Sequence, residues 1–140
     1  MSPLRVRYQT VEFGDIDIHV RTLRDDCEFL DDEGLAEDLG ISSASWPIFG
    51  ILRTAGRVLA HVMAIHDVEG KRILEIGCGI GLSSLVLNHR NADITATDYH
   101  PEVGAFLSQN VALNGGAVIP FIRTGWDDAI SSLGLFDLII

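Results

Sequence analysis

Positive charge is what the sequence has least of. Ten Lys and Arg stand against twenty Asp and Glu in 140 residues, a formal net charge of -10. The basic stripe that a nucleic-acid backbone requires is missing, and a neutral or cationic partner is expected instead. Cysteine is scarce too. Cys27 and Cys78 are the whole complement and lie far apart, so neither a disulfide framework nor metal-ligand spacing is present. No positively charged leader followed by an apolar run opens the chain. No uninterrupted apolar stretch approaches the roughly 20 residues of a spanning helix; the best candidate, Val58 to Ile65, contains His61. The expectation is a cytoplasmic protein with free thiols and no membrane span. Repeats and low-complexity tracts are absent as well.

What is present suits one packed domain, since 47% of the residues are hydrophobic and a chain of this length can bury a core. From Arg5 to Arg24, polar and apolar residues alternate through Val6, Tyr8, Ile16, Ile18 and Val20, with Gly14-Asp15 between the runs, which predicts an N-terminal β-hairpin. An acidic stretch follows, with Asp25, Asp26, Glu28, Asp31, Asp32, Glu33, Glu37 and Asp38 and no Lys or Arg before Arg53. It is expected to be a mobile, solvated connection or, alternatively, a docking patch for a lysine-bearing protein. After Ser45-Trp46-Pro47, the residues Ile51, Leu52, Ala55, Val58, Leu59, Val62 and Met63 share one side of a 3.6-residue period, an amphipathic helix. The remainder alternates strand and helix: Arg72 to Ile76, Leu82 to Arg90, Ile94 to Thr97, Pro101 to Asn114, Val118 to Arg123 and Leu135 to Ile140. Such alternation predicts an α/β fold, a Rossmann-like parallel sheet with helices on both faces. The chain divides into a hairpin and acidic connection over residues 1–44 and a ligand-binding unit over 45–140. The last apolar strand stops with no following loop or helix, so the sheet is expected to be incomplete and its edge open to self-association.

The chemistry concentrates in Glu75-Ile-Gly-Cys-Gly-Ile-Gly81. An apolar strand delivers the backbone to a turn whose glycines remove the side chains that would block a ligand, and the helix opening at Leu82 offers unpaired N–H groups nearby. Asp98 ends the next strand about 20 positions later, where a carboxylate can accept both ribose hydroxyls of an adenosine. A nicotinamide-type fingerprint wants a small residue immediately after Gly81, and Leu82 occupies that place.

Together, the segments Glu75 to Gly81, Thr97-Asp98-Tyr99 and Asn110-Val-Ala-Leu-Asn114 resemble the motifs of class I, seven-strand, S-adenosylmethionine (SAM)-dependent methyltransferases. Trp46-Pro47 upstream and Gly125-Trp126-Asp127 downstream make the chain similar to a narrower branch that includes protein-lysine methyltransferases acting on chaperones, calmodulin and electron-transfer flavoprotein. The resemblance covers roughly residues 12 to 140. It implies SAM as cofactor, with the glycine loop (Gly77, Cys78, Gly79, Gly81) holding the methionine part, Asp98 the ribose, and Trp126-Asp127 flanking adenine. It also implies a continuation beyond Ile140 into an acidic-aromatic motif and three further strands.

Individual residues carry two readings each. Glu75 either organises the loop and the cofactor's amino group or is a partly exposed strand end. Trp126 is either core or an adenine wall; Trp46 is either a packing plug or a wall of the same pocket. Tyr99 is placed to touch adenine, whereas His100 is expected to face solvent without a catalytic role. Cys78 contributes its backbone rather than a nucleophilic thiol. No residue is assigned as catalytic and no metal is expected, because methyl transfer from a sulfonium needs alignment more than acid-base chemistry. The expected activity is methylation of a protein lysine or, alternatively, a small-molecule acceptor. Two other readings remain: a non-catalytic or truncated SAM-binding module, and an NAD-dependent oxidoreductase, against which Leu82 stands.

Overall fold

The computed structural model describes residues 4–25, 29, 31–129 and 131–140; Asp26, Cys27 and Glu28, named above, lie outside them. Strands β1 (Val6–Phe13) and β2 (Ile16–Leu23) pair antiparallel, with Phe13 opposite Ile16. The two-residue loop turns at Gly14, whose φ of 67° favours glycine. Val11, Phe13, Ile18 and Val20 form the buried face. Tyr8 stands on the other face and is exposed, contrary to the alternation read from sequence, because the period of two places the odd positions of β1 inward.

Helix α4 (Val103–Leu113) closes the free edge of β2 with side chains. The Asn110 amide accepts the Arg21 N–H at 2.6 Å and donates to the Arg21 carbonyl at 3.1 Å. One turn later Asn114 accepts the His19 N–H at 2.8 Å and donates to the His19 carbonyl at 2.7 Å. Residues 19 and 21 point the same way from a strand, and positions 110 and 114 share one face of a helix. Two amides therefore replace the backbone of a neighbouring strand, and the hairpin joins the same hydrophobic core as the rest of the chain.

From Asp31 onward the acidic stretch is more ordered than its composition suggested. Both Asp31 carboxylate oxygens accept backbone N–H groups, from Ala36 at 3.0 Å and Glu37 at 2.8 Å, and anchor the short helix α1 (Leu35–Asp38) with Ala36 fully buried. Asp31 is thus engaged locally rather than presented for docking.

Residues 43–50 form two 3₁₀ turns, Ser43–Ser45 and Ile48–Gly50, before helix α2 (Thr54–Ile65). The stretch Ser43–Ile65 is 23 residues long and reaches a mean hydropathy of 1.4 over an 18-residue window, with Arg53, Arg57 and His61 interrupting its apolar residues as the sequence reading held. Nor is it one continuous helix: Ile51 and Arg53 are extended, and α2 alone is about 18 Å long, short of a bilayer core. The face of α2 also differs from expectation. Ala60 and Met63 are buried, whereas Ala55, Val58 and Val62 are exposed, since α2 packs chiefly on α3 (Leu82–His89) and only a narrow stripe is covered.

The central sheet is parallel, in the order β5 (Phe121–Arg123), β4 (Asp93–Asp98), β3 (Arg72–Glu75), β6 (Leu138–Ile139). The first strand in sequence, β3, is flanked by β4 on one side and β6 on the other. This is the point where the winding direction reverses and a crevice opens at the strands' C-terminal ends. Two strands are shorter than expected. Pro120 has no N–H to give and only its carbonyl joins the ladder, accepting the Ala96 N–H at 2.9 Å. Leu135 and Phe136 precede β6 without pairing: Arg72 donates to the Leu135 carbonyl at 2.9 Å and lies over the Phe136 ring. The far edge of β6 is open among the described residues, with Ile139 exposed.

Candidate functional site

At the end of β3 the backbone passes through Gly77, Gly79 and Gly81, all with positive φ. Two of these positions also demand space. A Cβ on Gly81 would meet Leu107 Cδ1 at 2.9 Å, and one on Gly79 would meet the Phe49 carbonyl oxygen at 3.3 Å. The turn is pinned to β4 by the Cys78 N–H, which donates to the Thr97 carbonyl at 2.9 Å.

Glu75 lies beneath this turn and is buried. Its Oε2 accepts the Ser84 N–H at 3.0 Å and the Ser84 hydroxyl, so it satisfies one of the open N–H groups of the first turn of α3. Burial pushes its carboxyl up to about 7; the Ser84 hydrogen bonds oppose that shift and the Asp98 charge adds to it. Burial likewise drives the Cys78 thiol far above its usual range, with the Glu75 and Asp98 charges adding to the effect, which makes it a poor nucleophile.

Asp98 ends β4 with both oxygens engaged from opposite sides. Oδ2 accepts the Gly79 N–H at 2.8 Å and Oδ1 accepts the His100 N–H at 2.9 Å. Each oxygen keeps a second acceptor direction. Beside these groups lies a cavity of about 500 Å3, within the range of small-molecule sites. It brings together Glu75, Gly77, Cys78, Gly79, Gly81, Asp98 and Tyr99 from the residues singled out in the sequence.

Both tryptophans lie outside its lining. Trp46 is half-buried against the core and donates from Nε1 to the Ile41 carbonyl at 2.9 Å; Trp126 is 86% exposed. Tyr99 lines the cavity, but its hydroxyl reaches away to the Leu39 carbonyl at 3.0 Å.

Sequence reasoning missed three contributors. His100 is 5% exposed, not solvent-facing: its ring stacks on Phe49 at 4.1 Å, and burial lowers its pKa. Phe49 and Arg53 line the same cavity, Arg53 as a cation opposite two acids. Local pattern gave no sign of Phe49 or His100, because their partnership spans fifty positions; Arg53 was visible only as the end of a run without cations.

Comparison with known proteins places this arrangement. Residues 39–140 match the model of the family described as lysine methyltransferase. Over 79 residues the chain is 37% identical to the histidine protein methyltransferase 1 homolog of Dictyostelium discoideum, a match covering 53% of this chain and 26% of that protein. In fold it is similar to the 16S rRNA methyltransferase RsmC of T. thermophilus solved with AdoMet and guanosine, with a TM-score of 0.66 and 16% identity over 98% of this chain and 32% of that one. It is also similar to the Pyrococcus abyssi tRNA (uracil-54, C5)-methyltransferase solved with S-adenosyl-L-homocysteine, with a TM-score of 0.53 and 17% identity over 94% of this chain and 27% of that one. The matched part is thus a third or less of each relative. A glycine turn at the sheet's switch point, an acid closing the neighbouring strand and a family match over most of the sequence agree, and the chain belongs to the lysine methyltransferase family.

Proposed function

We propose that this chain is the cofactor-binding part of a SAM-dependent protein methyltransferase. The observation that carries the reading is Asp98: a carboxylate held by two backbone N–H groups at the rim of a 500 Å3 cavity, with one acceptor direction free on each oxygen. Such a carboxylate is ready to accept the two hydroxyls of a ribose. Gly77, Gly79 and Gly81 leave room for the methionine moiety. Glu75 is the carboxyl suited to its ammonium, whose charge would favour the ionised form against the effect of burial, and Arg53 the cation suited to its carboxylate. The cofactor supplies an electrophilic methyl on sulfur; the protein's part is to fix that methyl against an acceptor and keep water away. Residues 45–140 hold these groups, while the hairpin of β1 and β2 braces them through the Asn110 and Asn114 amides.

The acceptor is proposed to be a lysine of a protein. The family's description supports this, and the name of the histidine protein methyltransferase 1 homolog supports a protein acceptor. A net charge of -10 is unfavourable for an RNA backbone. A lysine must lose its proton before attack, since its ordinary pKa is about 10.4 and the ammonium has no lone pair. An apolar channel favours the neutral amine; nearby carboxylates oppose it.

Calorimetric titration with S-adenosylhomocysteine (SAH), using NADH as the control ligand, tests the cofactor assignment. Saturable binding of SAH alone is expected. Asp98→Ala is expected to weaken it by about 1–3 kcal/mol, the scale of losing charge-assisted hydrogen bonds. Equal affinity in the variant would remove Asp98 from the ribose, and tighter binding of NADH would overturn the methyltransferase reading.

A further inference from the structure

The two residues that follow Asp98 reach out of the cofactor loop and hold a separate piece of chain. The Tyr99 hydroxyl donates to the Leu39 carbonyl at 3.0 Å, and the His100 ring stacks on Phe49 at 4.1 Å. Phe49 in turn lays its carbonyl against Gly79, where even a Cβ would come within 3.3 Å of the oxygen. Between Leu39 and Phe49 the chain supplies Ile41, Ser45 and Ile48 to the cavity wall. Among the described residues, the backbone hydrogen bonds of 42–51 all close within that segment, as 3₁₀ turns: Ser45 to Ser42, Trp46 to Ser43, Gly50 to Pro47 and Ile51 to Ile48. Backbone bonds tie the neighbouring Gly40 and Ile41 to α1, at Glu37 and Ala36, but no ladder joins 42–51 to the sheet, so side-chain packing rather than backbone pairing holds that stretch. Its position is therefore set by Tyr99, His100 and the glycine loop on the cavity side and by Phe29, Phe106 and Leu23 on the core side.

His100 carries an unfinished bond. Its Nδ1 accepts the Glu102 N–H at 3.1 Å, which places the hydrogen of the neutral ring on Nε2. That Nε2 is buried without a hydrogen-bond partner, although a buried donor is costly to leave unpaired. The Trp46 backbone, within 39–50, acts on this ring as a hydrogen-bond acceptor and opposes the effect of burial, yet it falls outside hydrogen-bond geometry, so a small inward shift of the segment would complete that bond.

We propose that residues 39–50 form a strap that closes over the bound cofactor, and that Tyr99 and His100 are its latch, transmitting occupancy of the adjacent Asp98 carboxylate to the strap. The proposal rests on the assignment of the cavity to SAM. Besides the packing of Phe49 against Phe29 and Phe106, the strap meets the Asp98 loop through a ring stack and one hydroxyl. With the ribose on Asp98, the loop carrying Tyr99 and His100 is fixed from both sides, and the unpaired imidazole N–H is satisfied as the strap settles.

Hydrogen exchange of the 140-residue protein with and without saturating SAH tests this, together with SAH binding kinetics for the wild type, Tyr99→Phe and His100→Phe. Both substitutions keep an aromatic ring and remove the polar atoms. SAH is expected to slow exchange across 41–51 in the wild type. In each variant dissociation is expected to accelerate roughly three- to tenfold, the effect of one neutral hydrogen bond, with association unchanged and the protection of 41–51 reduced. A merely structural role would lower the melting temperature and leave the SAH-dependent protection and the dissociation rate as they are; that result overturns the latch. SAH binding to the wild type without any change in 41–51 overturns the strap and leaves the cofactor assignment standing, whereas absence of SAH binding overturns both.

Discussion

Among the buried titratable side chains at the rim of the cavity, Glu75 and His100 push stability in opposite directions with pH. The Glu75 carboxyl is raised to about 7 by burial, above its value in the unfolded chain. The native state therefore holds its proton more tightly, and the corresponding stability is fully present below about pH 4.5 and lost as pH rises through 7. The loss is roughly 3 kcal/mol. His100 is lowered from 6.5 by burial, so its contribution is present above that value and lost as pH falls. Glu75→Gln removes the first group and leaves the second. Urea denaturation between pH 4.5 and 8.5 is expected to show the variant equal to the wild type at the acid end and more stable by up to about 3 kcal/mol at the alkaline end. Parallel profiles for the two proteins would mean that Glu75 is already ionised when folded.

At the scale of elements, the hairpin depends on α4 through side-chain amides rather than through a sheet. Asn110 is fully buried and serves both backbone groups of Arg21, so Asn110→Ala leaves a donor and an acceptor unpaired. A loss of about 2–3 kcal/mol in urea denaturation is expected, against about 1 kcal/mol for the more exposed Asn114→Ala. A change under about 0.5 kcal/mol at Asn110 would show that water replaces the amide. The same pair illustrates what the sequence disclosed and what it withheld. Asn110 to Asn114 was legible as part of a family pattern, and the hairpin was legible from its alternation. That one serves the other was not, because the bonds join residues about 90 positions apart. The strand, glycine turn and acid at 75, 77–81 and 98 were readable for the opposite reason: their geometry is dictated by local backbone requirements. The buried face of α2 was misjudged because a helix with apolar residues on several sides gives no unique stripe, and only its neighbour α3 decides which is covered.

For the whole molecule, the excess of acid over base is the property with the longest reach. A net charge of -10, with the Asp98 carboxylate at the cavity and Arg53 in its wall, is expected to give a field that favours a cationic over a neutral ligand at the site. In the proposed reaction the donor arrives with a sulfonium and leaves as a neutral thioether. The same field then draws in the substrate form of the cofactor and relaxes its hold on the spent form, a bias toward turnover that needs no moving part. Because such fields are screened over about 8 Å at physiological ionic strength, the preference for SAM over SAH is expected to narrow as salt is raised in paired calorimetric titrations. A ratio independent of salt would confine the discrimination to contacts within the cavity. Ionic strength would thus act on this protein as a control of product retention, a consequence of its poverty in lysine and arginine.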